Sequence, residues 1–180
     1  DSVVFIGTDA ANAAVIDCGE SGSTLRFLIP VCAALGVDAV FTGRGKLPER
    51  PYDILAEAMS GHGARFDKTA GLPLRVGGRL ESGTYVLPGD VSSQYITGLL
   101  YALPLVDGDS VIKLASPLQS KGYVDMTLAV LKEFGVEAAE TADGYFIKGS
   151  QKYRKDSFTV EGDWSNAAFW LVYGALNDGV

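Results

Sequence analysis

The sequence predicts an α/β fold built from a repeated unit, and three observations carry that expectation. First, Ser21, Ser92 and Ser165 each stand four residues before an apolar ladder: Leu25/Leu28/Ile29/Cys32, Ile96/Leu99/Leu100/Leu103 and Phe169/Val172/Tyr173/Leu176. Each ladder reads i, i+3, i+4, i+7, which is one buried face of an amphipathic helix. Second, a short run with Gly and an acidic residue precedes each ladder, namely Asp17-Cys18-Gly19, Gly89-Asp90 and Gly162-Asp163. Each unit therefore reads strand, turn, Ser-started helix. Third, the ladders recur at intervals of about 70 residues, as an internal repeat requires.

The elements follow in order. Apolar runs at Ala14 to Ile16, Ala39 to Phe41, Tyr85 to Leu87, Val111 to Leu114, Tyr145 to Ile147 and Phe158 to Val160 are expected strands, each near Gly, Asp or Ser punctuation. Two further helices fall between the ladders. One is expected from Pro51, a residue favoured at the first helical position, to near Gly61. The other starts after Ser120, carries Val124, Leu128 and Leu131 on one face, and stops at Gly135, suited to a left-handed cap. The unit is thus strand, helix, strand, helix, strand, strand. About two and a half units fit in the chain. Residues 1–180 are expected to form one domain cut at both ends, with 162–180 starting the segment that leads toward a second domain. No Pro-rich, Gly/Ser-rich or charge-rich linker divides it.

Composition narrows the function classes. A chain of 180 residues that is 47% hydrophobic, with 22 glycines, suits one compact domain with many tight turns. Its net charge of −7 argues against nucleic acid or an anionic membrane as main partner, because both select a basic face. Any anion must be held by local groups. No apolar run approaches the roughly 20 residues of a membrane span, and no basic start with an apolar stretch marks a signal peptide, so a cytoplasmic location is the expectation. Cys18, Cys32 and the single His62 form no metal-ligand pattern, so reduced core thiols are expected and no metal.

The most informative segment is Gly19-Glu20-Ser21-Gly22-Ser23-Thr24-Leu25-Arg26. Gly22 permits close approach of a ligand to the backbone, Ser23 and Thr24 offer hydroxyls, and Arg26 brings a planar cation that can hold a carboxylate or phosphate by two bonds. A Walker loop it is not, since the Gly-Lys-Ser/Thr ending is missing. Helix starts attract anions, and three packed side by side would converge their unpaired N–H groups on one place. The same serines are also preferred N-caps, a purely structural reading. Arg44, Lys46 and Arg50, in Gly43-Arg-Gly-Lys-Leu-Pro-Glu-Arg-Pro51, cluster before a helix start, where exposed cations otherwise simply face water.

Taken together, Glu20-Ser-Gly-Ser-Thr-Leu-Arg-Phe-Leu, Pro48-Glu-Arg-Pro51, Gly89-Asp-Val-Ser-Ser-Gln94, Ser120-Lys-Gly-Tyr-Val-Asp125 and Gly162-Asp163-Trp-Ser165 resemble, in order and spacing, the 5-enolpyruvylshikimate-3-phosphate synthase family. Five motifs in register are specific where one would be weak. The resemblance implies a two-domain transferase that joins the enolpyruvyl group of phosphoenolpyruvate to the 5-hydroxyl of shikimate 3-phosphate and releases phosphate, in the shikimate pathway to aromatic amino acids, with no metal or organic cofactor. It implies an inside-out α/β barrel of three such units per domain, helices inside and sheets outside. By the same resemblance, Ser92, Ser93, Gln94, Ser120 and Tyr123 bind shikimate 3-phosphate. Gly22, Arg50 and Gln94 hold phosphoenolpyruvate, with Ser23 and Arg26 flanking that site.

One departure stands at Glu20, where the family often has Asn. A carboxylate there must turn outward or pair with Arg26 or Lys46 to be compatible with an anionic ligand. No catalytic residue is assigned within the chain. Asp90, Asp125 and Asp163 sit at turns and helix starts, where capping is the expected role. The expected fragment binds substrate and is inactive without the missing second domain. Two other readings remain: a relative of the UDP-N-acetylglucosamine enolpyruvyl transferase, from which Ser92-Ser93-Gln94 distinguishes it, and a non-catalytic anion-binding module.

Overall fold

The computed structural model describes residues 13–160 and 162–177; the ends of the expected domain lie outside the described residues. Two units of identical topology follow one another. The first comprises β1 (Ala14–Asp17), α1 (Gly22–Ala34), β2 (Ala39–Thr42), α2 (Asp53–Ser60), β3 (Ala64–Phe66) and β4 (Leu74–Gly78). In the second, β5 (Thr84–Leu87), α3 (Ser93–Ala102), β6 (Ser110–Leu114), α4 (Lys121–Glu133), β7 (Ala138–Thr141) and β8 (Gly144–Ile147) repeat the order. Each unit makes one four-stranded sheet, β1-β2-β4-β3 and β5-β6-β8-β7. The first two strands of each are parallel and the others antiparallel. The predicted repeat is therefore real at the level of strand order.

The ladders explain the layering. Leu25, Ile29 and Cys32 of α1 and Ile96, Leu99 and Leu100 of α3 are buried in one continuous core that also takes Phe41, Leu74, Val76, Tyr85 and Ile112 from the sheets. Helices α1 and α3 pack on each other inside, and the sheets flank them. Gly98 permits the close crossing: a Cβ there would lie 2.4 Å from the Arg26 carbonyl oxygen and 3.1 Å from Pro30 Cγ. That carbonyl is four residues before Pro30, which has no N–H to offer it, so the helix face is open at the point where α3 approaches. Helices α1 and α4 end alike. Gly36 (φ +68) and Gly135 (φ +74) take the left-handed position. In α1 the bonds run from Gly36 N to Ala33 O and Val37 N to Cys32 O, and in α4 from Gly135 N to Lys132 O and Val136 N to Leu131 O. This pairing of bonds closes the last turn.

Four expectations need correction. Helix α2 begins at Asp53, not Pro51, after a 3₁₀ turn at Leu47–Glu49. The Pro51 carbonyl instead accepts bonds from Arg26 and Tyr95. Phe158–Val160 is not a strand: β1 and β5 each pair with the strand after their helix, and among the described residues nothing follows the third ladder to pair with it. The third helix, α5 (Trp164–Leu176), is capped by Asp163 rather than started by Ser165, because the carboxylate accepts from the backbone N–H groups of Ser165 and Asn166. Its ladder is not buried. Phe169, Val172, Tyr173 and Leu176 are all exposed, so α5 does not join α1 and α3 in the interior.

Candidate functional site

The site forms where the starts of α1 and α3 meet. Ser21 caps α1: its Oγ accepts from Thr24 N (3.1 Å) and from the Thr24 hydroxyl (2.9 Å). The Thr24 hydroxyl hydrogen is thereby committed to the helix. Ser92 caps α3 with Oγ accepting from Gln94 N at 3.3 Å, which leaves its O–H free to donate. Ser93 is the first residue of α3 and is half-buried. Between the helices, Gln94 Nε2 donates to Ser23 Oγ (2.9 Å) and Arg26 Nη1 donates to Gln94 Oε1 (2.6 Å). Arg26 Nη2 donates to Pro51 O (2.9 Å), and the guanidinium lies 5.4 Å from the Tyr95 ring centroid. The Tyr95 hydroxyl donates to the same carbonyl (2.8 Å). Burial pushes the pKa of that hydroxyl up, so it remains a donor.

Gly22 is the floor of this cluster. A Cβ at Gly22 would stand 2.9 Å from Arg50 Nη1 and 3.3 Å from Arg26 Nη1, so two guanidinium groups converge over its backbone. Among the described residues neither Arg26 nor Arg50 forms an ion pair. Like charges this close repel by about 1–3 kcal/mol depending on exposure. An anion between them reverses that term, and the N-terminus of α1 adds to it. Arg44, the neighbouring cation, lies 4.0 Å from Asp17 with both side chains mostly exposed. Glu20 does not pair with Arg26 or Lys46 within the described residues. It lies instead along the Gly45 backbone (φ +61), where a Cβ would meet its carboxylate at 2.8 Å. The carboxylate thus turns away over the loop.

The second half of the predicted set is held by a clasp between loops. Ala115 N donates to Leu87 O (2.9 Å), Gln119 N to Gly89 O (2.9 Å) and Gly89 N to Ser116 Oγ (2.9 Å), while the Ser116 hydroxyl donates to Asp90 Oδ1 (2.6 Å). A Cβ at Gly89 would meet Ser116 O at 2.5 Å, so only Gly fits. The clasp sets Ser120, at the start of α4, beside the loop that ends in Ser92. Ser120 takes a left-handed conformation (φ 58°, ψ 37°) and makes no capping bond with its side chain. Tyr123, one turn into α4, is exposed. Thr127 donates to Tyr123 O (2.9 Å) and meets Thr97 at 3.0 Å in the core, tying this turn to α3. The first unit uses a matching clasp, Cys18 N to Thr42 O (2.9 Å) and Arg44 N to Gly19 O (2.8 Å), to bring Gly22 and Arg50 together.

The structure thus groups Gly22, Ser23, Arg26, Arg50 and Gln94 by direct proximity, with Ser92 and Ser93 adjoining. Ser120 and Tyr123 are linked to them only through the clasp. Sequence reasoning missed Tyr95, the Pro51 carbonyl, Ser116 and the engagement of Asp90. Only the Gly-Asp run before α3 gave a local signal. Of the three carboxylates expected as caps or turn residues, Asp163 caps α5 and Asp90, in its turn, accepts from Ser116, but Asp125 does neither: it lies inside α4 and pairs with Lys121 (2.5 Å). Cys18 and Cys32 are free and buried, and burial pushes both thiols up to about 11. Among the described residues no group of His, Cys, Asp and Glu could hold a metal ion, and no helix is long and apolar enough to cross a membrane.

The family model "EPSP synthase (3-phosphoshikimate 1-carboxyvinyltransferase)" matches residues 4–180. Relatives named 3-phosphoshikimate 1-carboxyvinyltransferase include those of Clostridium kluyveri, 47% identical, and Clostridium acetobutylicum, 46% identical; each alignment covers 92% of this chain and 39% of the relative. A solved EPSP synthase structure from Acinetobacter baumannii is similar with a TM-score of 0.74 at 26% identity, over 94% of this chain and 38% of that one. This chain accordingly spans about 39% of the length of the curated relatives it matches. With its repeated unit, its five motifs and the family match all coinciding, the chain belongs to the EPSP synthase family.

Proposed function

We propose that this chain supplies the shikimate 3-phosphate half-site and part of the phosphoenolpyruvate half-site of a 3-phosphoshikimate 1-carboxyvinyltransferase. The observation that carries the reading is the convergence of Arg26 and Arg50 over Gly22, without a carboxylate partner, beside the Ser92-Ser93-Gln94 helix start. Phosphoenolpyruvate, with a carboxylate and a phosphate, fits two planar cations and a bare backbone. The shikimate 3-phosphate group fits the free Ser92 hydroxyl, the Ser93 N–H at the start of α3 and the Ser120 hydroxyl across the clasp. The Tyr123 side chain, exposed on the same turn, borders that site.

In the overall transfer, the 5-hydroxyl oxygen adds to the central carbon of phosphoenolpyruvate and the methylene carbon gains a proton. Loss of phosphate and of a methyl proton from that adduct then restores the double bond in the enolpyruvyl ether. Proton transfer at these atoms needs positioned acids and bases. In this reading those groups come from the part of the relatives' length that this chain does not span. Residues 162–177, with the exposed face of α5, begin the path to that second domain.

The test is a titration of the 180-residue chain with shikimate 3-phosphate, followed by amide shifts, with shikimate as phosphate-free control. Binding is expected on the order of millimolar. The shifts should fall at Ser92, Gln94, Ser120 and Tyr123, weaken with salt, and be absent with shikimate. No phosphate release should accompany addition of both substrates. Identical shifts with shikimate would reduce these helix starts to caps.

A further inference from the structure

We propose that Arg26 is a positioning residue: it fixes the orientation of the Gln94 amide and so sets the donor polarity of the pocket between α1 and α3. The inference rests on the anion-binding reading above and adds, to the charge Arg26 brings over Gly22, a second role exerted through Gln94.

The argument is one of donors and acceptors. A guanidinium has only N–H donors, so whichever end of the Gln94 amide faces Arg26 must be the carbonyl oxygen. The 2.6 Å contact from Nη1 to Oε1 therefore fixes the amide, and Nε2 is forced toward Ser23, 2.9 Å away. Ser23 accepts that bond, which leaves its own O–H to donate outward. Every hydrogen this relay still has to offer, the Ser23 hydroxyl and the second Gln94 N–H, suits an acceptor-rich anion.

The guanidinium is itself immobilised. Nη2 is taken by Pro51 O at 2.9 Å, the ring of Tyr95 lies beneath, and Tyr95 braces the same carbonyl at 2.8 Å. The buried Nε has no partner, so this placement is dictated by the two Nη contacts and not by satisfaction of the whole head group. With Arg26 gone, nothing distinguishes the two amide orientations on that side. A flipped Gln94 would present oxygen lone pairs to Ser23 and to the anion. Lysine is no substitute, because one ammonium cannot reproduce two diverging planar bonds. Arg26 thus links three elements, α1, α3 and the approach to α2, and makes the half-site on α1 and the half-site on α3 depend on one side chain.

The experiment is a double-substitution cycle in the 180-residue chain, using Arg26→Lys, Gln94→Met and both together, titrated with shikimate 3-phosphate and separately with phosphoenolpyruvate. A ligand-free readout accompanies it, the side-chain amide resonances of Gln94. In the unsubstituted chain these should be displaced from free-glutamine positions, and Arg26→Lys should return them. Shikimate 3-phosphate affinity should fall about tenfold in Arg26→Lys, the scale of one charge-assisted hydrogen bond. In the Gln94→Met background the same change should alter it less than about twofold. Equal losses in both backgrounds, or unmoved Gln94 resonances, would overturn the positioning role. Should Arg26→Lys not fold, Ser23→Ala reads the far end of the relay, and unmoved Gln94 resonances there count equally against it. A lack of any phosphate-dependent shift in the unsubstituted chain would count instead against the proposed function, with the Gln94 resonances still deciding the role of Arg26.

Discussion

Gly22 shows how one missing Cβ shapes a charged site. Because an added methyl would stand 2.9 Å from Arg50 Nη1, the end of a flexible side chain, Gly22→Ala should displace the guanidinium rather than the fold. We expect phosphoenolpyruvate binding to weaken about tenfold, with shikimate 3-phosphate binding and the thermal midpoint little changed. Paired titrations and a melting curve check this; equal loss for both ligands would place Arg50 elsewhere. That Gly22, Arg50 and Gln94 belong to one cluster was legible from motif resemblance. The contacts of Arg26 were not, since they reach Pro51 and Gln94, 25 and 68 residues away in sequence. The same holds for Ser116, whose hydroxyl meets Asp90 26 residues back. Periodicity and composition carry no signal for such pairings.

The crossing of α1 and α3 is the element on which the site depends. Glycine inside a helix costs about 1 kcal/mol relative to alanine. Its presence at position 98 is explained by the Arg26 carbonyl that a Cβ would strike at 2.4 Å. Gly98→Ala must therefore separate the helices. A loss of about 1–3 kcal/mol in unfolding free energy is expected, the usual range for overpacking, and it should come with release of the Gln94 amide, since Arg26 and Gln94 lie on the parting faces. Denaturant unfolding measures the first and the side-chain amide resonances the second; a variant as stable as the parent would refute the close-approach account. Strands with alternating or β-branched residues were readable, as in β2 and β6. The short β3 (Ala64-Arg65-Phe66), the glycine-ended β4 and the mostly exposed β7 (Ala138-Ala139-Glu140-Thr141) give too little pattern, and their pairing is dictated by the sheet around them.

For the whole molecule, the sequence conveyed the duplication but not its asymmetry. Two units share sheet order and loop clasps, whereas the third ladder, written in the same apolar code, stands uncovered on α5. Periodicity reports that a face is apolar, not what will cover it. This placement has an optical consequence. The two tryptophans of the chain, Trp164 and Trp170, both lie on α5, at 72% and 76% exposure. Intrinsic tryptophan emission is therefore silent about the sheets and the paired inner helices. The 180-residue chain should emit with the red-shifted maximum of solvated indole, and the signal should change little while the core unfolds by circular dichroism. Addition of the remaining length of a relative should shift the emission to the blue if it covers α5. The chain thus carries a built-in reporter of whatever covers α5, which an experimenter could follow without attaching any label.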